Sequence, residues 1–269
     1  MKMSTHTGSI AVALTLFTAG AAWAQIAGTI ITTENKTIEG TFKWKIREKV
    51  YAINAKGGGN VELELAPSSI RELQIPKPKE LDAAIANVQQ GNAAAAVPLL
   101  EKIASDYLML QWDGVATRLL ADAYVKAGEP EKAIHVCEKV IASNPEAAYL
   151  GEMAPAYWQA LIKANRTSKV EDLMTKAIKS GNREASAFAL IARGDLILAS
   201  GETNEISKKA LRDGFLRVVT LYKSEKAAQP EALYKAAKCF EKLGQSSRAD
   251  QMRTTLKSEY GTSEWARKP

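Results

Sequence analysis

Two periodicities divide the chain. Between residues 26 and 75 apolar and polar positions alternate with a period of two. In "TIEGTFKWKI" Phe42, Trp44 and Ile46 fall on one side and Lys43, Lys45 and Arg47 on the other, and in "NVELEL" Val61, Leu63 and Leu65 alternate with Glu62 and Glu64. This is the pattern of half-buried antiparallel strands. Turn chemistry at Glu34-Asn35-Lys36, Arg47-Glu48-Lys49 and Gly57-Gly58-Gly59-Asn60 separates the runs into five short strands. A sheet that small loses its edges best by curling into a barrel. The Gly57 to Gly59 run is followed by a strand and not by Gly-Lys-Ser/Thr and a helix, so it is expected to be a hairpin turn and not a phosphate cradle.

"IPKPKE" ends this region. Pro76 and Pro78 hold their predecessors extended, and Glu80 and Asp82 suit the first turn of a helix. From there the apolar period becomes 3.6. Helical runs break at Gly91, Gly128, Asn165, Gly201 and Gly244, at intervals of 37, 37, 36 and 43 residues, and a second helix follows each break. One helical hairpin per interval of this length predicts a solenoid. The fourth interval is the longest, and its extra residues are expected around residues 203–208.

"YVKAGEPEKAIHVCEKVIASNPEA" shows one unit most clearly. Leu120, Ala121 and Tyr124 lie ahead of Gly128, Ala133 is the small contact of the second helix, Cys137 and Val140 continue its face, and Pro145 closes the unit. This layout resembles a tetratricopeptide repeat, and the other units match it in part. The closing segment is similar to the last units of bacterial exported tetratricopeptide proteins, and the strand rhythm of residues 25–75 resembles small SH3-like or Sm-like barrels. The fold class expected is mainly α: a tetratricopeptide-like α-solenoid of about five helical hairpins over residues 76–269, preceded by a small antiparallel β domain over residues 25–75.

Residues 1–24 have the form of a secretory signal. Lys2 opens the segment, residues 10–22 are uncharged and mostly apolar, and Ala22-Trp23-Ala24 gives the small-x-small pattern of signal peptidase sites, so cleavage is expected before Gln25. The apolar run falls short of the ~20 residues that span a bilayer, and no later window is apolar enough to span. The mature chain is therefore expected to be exported to a periplasm, without a transmembrane segment.

Charge sharpens the picture at one end. The formal net charge of +6 includes Lys2. Residues 25–200 carry 21 basic and 21 acidic side chains, whereas residues 201–269 carry 14 and 9. For an exported chain such an excess points to anionic envelope material or an acidic protein, and no nucleic-acid partner is expected.

Catalytic and metal chemistry find little support. Beyond the signal there is one histidine, His135, and two distant cysteines, Cys137 and Cys239, both expected to be buried and unbridged. No Gly-x-Ser-x-Gly or His-Glu-x-x-His occurs. Glu129, Glu131, Glu171 and Asp172 fall in helix first turns, where they favour the helix dipole. The chain is expected to be no enzyme and to use neither cofactor nor metal.

The resemblance implies a ligand groove lined by the first helix of each unit. Carried to matching positions, that face would present Arg118, Asp122, Lys126, Gln159, Lys163, Asp195, Tyr234, Lys238 and Lys242. A spacing of four keeps such side chains on one stripe. The expected function is a non-enzymatic exported adaptor or scaffold that binds envelope proteins or peptides through this concave face. The alternative is a protein that attaches to cell wall or an anionic surface through the β domain or the basic C-terminal repeats.

Overall fold

The computed structural model describes residues 26–57 and 62–269. The expected signal segment, the turn at Gly58 to Asn60 and Val61 lie outside the described residues. Five strands, β1 (Ile26–Thr32), β2 (Thr37–Lys45), β3 (Val50–Ala55), β4 (Glu62–Leu65) and β5 (Ile70–Gln74), form one antiparallel sheet in the order β4-β3-β2-β1-β5. A 3-10 turn at Pro67–Ser69 links the two edge strands, and the described ladder leaves β4 and β5 unpaired with each other. Asn35, Lys49 and Gly57 in the turns are all left-handed, at φ 62°, 53° and 82°, a conformation that Asn and Gly adopt at least cost.

The inward face of the sheet holds Ile30, Phe42, Trp44, Tyr51 and Ile53. Ile46 departs from the expected alternation. It stands beyond the end of β2, in the turn, and is 45% exposed. Leu63 is likewise 42% exposed, because β4 is a short edge strand with a neighbour on one side only. The lysines of β2 reach over β3 to β4: Lys43 Nζ lies 2.9 Å from Glu62, and Lys45 Nζ lies 2.5 Å from both Glu62 and Glu64. They can do so because the β3 residue between them is Ala52, whose methyl group is too short to block the path.

The helices pair as α1 (Lys79–Gln89) with α2 (Ala93–Asp106), α3 (Asp113–Lys126) with α4 (Pro130–Ser143), α5 (Ala154–Lys163) with α6 (Thr167–Lys179), α7 (Arg183–Ala199) with α8 (Asn204–Ala210) and α9 (Leu216–Leu221), and α10 (Gln229–Lys242) with α11 (Ser246–Tyr260). All five breaks expected from the sequence are left-handed: φ is 77° at Gly91, 78° at Gly128, 58° at Asn165, 153° at Gly201 and 70° at Gly244. A helix that must reverse within two or three residues needs such a residue at its end, and glycine or asparagine adopts it at least cost. Within the second pair Ala121 and Ala133 are fully buried, which allows α3 and α4 to approach closely.

The fourth unit departs from the expectation. Residues 203–208 are not an inserted loop. Asn204 starts α8, with the Thr203 hydroxyl accepting from the Ile206 N–H, and the helix runs through a π-helical turn, Leu211–Phe215, into α9. The extra length is absorbed by a longer second helix with one wide turn, and by the connection at residues 222–228.

The sheet and the helices share a core. Leu110, in the loop between α2 and α3, is fully buried among the inward side chains of the sheet. Tyr51 donates to the Met109 carbonyl at 3.0 Å, the Trp112 indole N–H donates to the Ile75 carbonyl at 2.8 Å, and the Ile75 N–H donates to Gln111 at 3.2 Å. Tyr107 and Trp112 thus serve packing at the junction. Tyr157 and Trp158 are buried in the middle of the array, the Trp158 indole bonded to the Ala148 carbonyl at 2.9 Å.

Candidate functional site

The first helices of units two to five, α3, α5, α7 and α10, line one groove with a cavity volume of about 650 Å³. Four of the residues expected on this face line it: Arg118, Asp122 and Lys126 from α3, and Gln159 from α5. Asp195 lies against the groove wall, where it accepts from the Gln159 amide and from Lys235 Nζ, the latter at 2.6 Å. Lys163, Tyr234, Lys238 and Lys242 lie outside the lining. Lys238 faces Glu241 at 3.8 Å, and Tyr234 packs its ring 5.5 Å from that of Trp265.

On α10 the groove-facing pair is Glu231 and Lys235, one turn apart. Lys235 Nζ sits 2.6 Å from Glu231 and 2.6 Å from Asp195, and all three side chains are less than a fifth exposed. Burial pulls the ammonium toward neutrality, but the two carboxylates outweigh it and hold Lys235 charged. A polar chain therefore crosses the array, from Gln159 on α5 to Asp195 on α7 to Lys235 and Glu231 on α10. Charged residues on a helix are ordinarily read as solvent-facing, which hides this chain in the sequence. The available signal is the one-turn spacing of Glu231 and Lys235 on the face that also carries Ala228, Ala232 and Ala236.

Across the groove, Asp122 pairs loosely with Arg118, 3.7 Å away. Desolvation pushes its carboxyl up to about 6, against Arg118 and Lys126, which favour the anion. Glu264 and Glu231 add to the rise, so residues from both ends of the array share one electrostatic field. Tyr149, Trp158 and Phe188 supply apolar wall. The groove thus offers charges of both signs over an aromatic and alanine-rich floor, which suits a peptide segment with mixed side chains.

Nothing in this arrangement has the geometry of a nucleophile beside a base. Cys137 and Cys239 are buried and unbridged, burial pushes the Cys239 thiol up to about 11, and His135 is exposed on α4. Among the described residues no group of three His, Cys, Asp or Glu side chains is placed to hold a metal ion, and no helix is long and apolar enough to cross a membrane.

Family models for the tetratricopeptide repeat match residues 87–154 and 231–263. The helical hairpins within those two stretches are accordingly tetratricopeptide repeats. No curated protein and no solved structure matches the chain.

Proposed function

We propose that the protein is a non-enzymatic exported adaptor that holds a protein or peptide of the cell envelope in the groove between α3 and α10. The observation that carries this reading is the groove itself, built from the first helices of four successive units and lined by Arg118, Asp122, Lys126 and Gln159. Export is supported by the sequence of residues 1–24.

The test is affinity capture from a detergent-solubilised envelope fraction, comparing the native chain with Arg118→Glu/Lys126→Glu, which alters the lining, and with Lys242→Glu, which lies outside it. A discrete protein retained at high salt by the native chain and Lys242→Glu, and lost by the double variant, is the expected result. Capture unaffected by the lining substitutions would refute the groove reading. N-terminal sequencing of the mature protein checks export, with Gln25 expected as the first residue.

A second reading has its own observation. Between the second helix of unit four and α10/α11, Lys208, Arg212, Arg217 and Arg248 rim a cleft floored by Leu211 and Phe240, with Lys208 and Arg212 also paired to Glu205 and Asp213. Such a cleft fits an anionic surface. Binding by this route weakens steeply with salt, whereas a specific groove keeps much of its affinity.

A further inference from the structure

Beyond its last hairpin the chain folds back over the groove. Residues 265–267 make a 3-10 turn, and Glu264, Trp265 and Lys268 line the same cavity as Arg118, Asp122 and Lys126 of the second unit. A 3-10 turn brings side chains three apart into line. Lys268 Nζ accordingly sits 3.2 Å from the centre of the Trp265 ring, while Tyr234 and Lys235 of α10 lie 5.5 Å from that ring. Tyr234 also donates to the Pro269 carbonyl at 3.2 Å.

This segment has the character of an occupant more than of a wall. None of the residues of its turn is buried, and its backbone N–H groups donate within residues 260–268. Among the described residues, the hydrogen bond that ties it to α10 is the one from the Tyr234 hydroxyl to the Pro269 carbonyl. What holds it is the Trp265 ring set against Tyr234 and the Lys268 ammonium over that ring, which burial, Lys126 and Lys235 disfavour and Glu264 and Glu231 of the groove favour.

Resting on the reading of the groove as a peptide site, we propose that residues 264–269 fill a subsite of it, and that an external partner enters by presenting a segment of the same chemistry. That segment is an aromatic residue followed three positions on by a lysine or arginine. The chain's own copy is tethered, so it competes at high local concentration and lowers the apparent affinity for any partner.

The probe is a fluorescently labelled peptide of residues 262–269, titrated to about 1 mM, a range that covers weak single-segment binding, against three proteins followed by anisotropy. These are the native chain, full-length Trp265→Ala, and a variant ending at Gly261, with far-UV circular dichroism confirming the helices of each. Trp265→Ala and the shortened variant are expected to bind at least about tenfold more tightly than the native chain, as release of a self-occupied site requires. A peptide carrying Ala in place of its tryptophan is expected not to bind. If the shortened variant does not fold, Trp265→Ala decides alone. Absence of binding by folded Trp265→Ala, or equal binding by the native chain, overturns the proposal. Envelope capture that depends on Arg118 and Lys126, without peptide binding, would overturn it while leaving the adaptor reading intact.

Discussion

Gly194 of α7 and Gly214 of the π-helical turn bring two helices into backbone contact: a Cβ on Gly214 would stand 2.7 Å from the Cα of Gly194 and 2.9 Å from the Leu190 carbonyl oxygen. A Cβ on Gly194 would collide with the Phe215 ring. The π turn and this crossing belong together, since the wide turn carries Gly214 and Phe215 on to α7, with Phe215 fully buried.

Gly214→Ala should therefore destabilise the fourth unit, because the atoms in the way are backbone and cannot swing aside. Overpacking of this kind costs about 1–3 kcal/mol. At roughly 2–4 °C per kcal/mol for a chain of this size, the melting temperature should fall by several degrees in calorimetry. Gly114, with nothing within 4 Å of its Cβ position and a place in the first turn of α3, is the control. Gly114→Ala should leave the melting temperature unchanged or raise it slightly.

The largely buried Lys235 predicts an asymmetry between breaking the polar chain and removing it. Lys235→Met strands Asp195 and Glu231 without their cation, at a cost of about 3–5 kcal/mol. Adding Asp195→Asn and Glu231→Gln removes the stranded charges and should recover most of that loss. Urea denaturation of the single and triple variants measures both, and a triple variant no more stable than Lys235→Met would show that the charges are not what the lysine neutralises.

How legible these features are in the sequence depends on whether their physics marks the residue type. A left-handed helix end selects glycine or asparagine, so Gly91, Gly128, Asn165, Gly201 and Gly244 disclose the array in the sequence itself. The loop that joins the sheet to the helices gives no such sign: Met109 and Gln111 adopt φ 61° and 78°, although neither is a usual turn residue. Tertiary contacts hold them there, with the Met109 N–H bonded to Asp113 and the Gln111 side chain to Ile75. The stripe placed on Tyr234, Lys238 and Lys242 illustrates a second limit. A helix face one residue round, at Glu231 and Lys235, has the same spacing and similar charge, and only its neighbours on α7 distinguish it.

The junction between sheet and repeats should behave as one cooperative unit. Trp112→Phe keeps the ring but leaves the Ile75 carbonyl without its indole donor, a loss of about 1–2 kcal/mol. Trp112→Ala also removes packing against Leu110 and the sheet, and should split thermal unfolding into two transitions, the sheet melting first. A single transition in Trp112→Ala would mean that the other contacts of the loop suffice.

Asp122 predicts a pH dependence whose sign follows from the direction of its shift. Its carboxyl titrates near 6 in the folded chain and near its ordinary value of 3.8 when unfolded, so between those values the folded state binds more protons. Stability through this group is therefore greatest below about pH 4, falls as pH rises to about 6, and is constant above. The side chain is 37% exposed, so solvent screening reduces the effect to about 1 kcal/mol. Arg118 and Lys126 favour the anion, while Glu264 and Glu231 oppose it, which ties the titration to the segment folded over the groove. Asp122→Asn should remove this component, leaving the variant more stable than the native chain at pH 8 and closer to it at pH 4. Urea midpoints measured at both values test the assignment, and a difference that grows toward low pH would place the titrating group elsewhere.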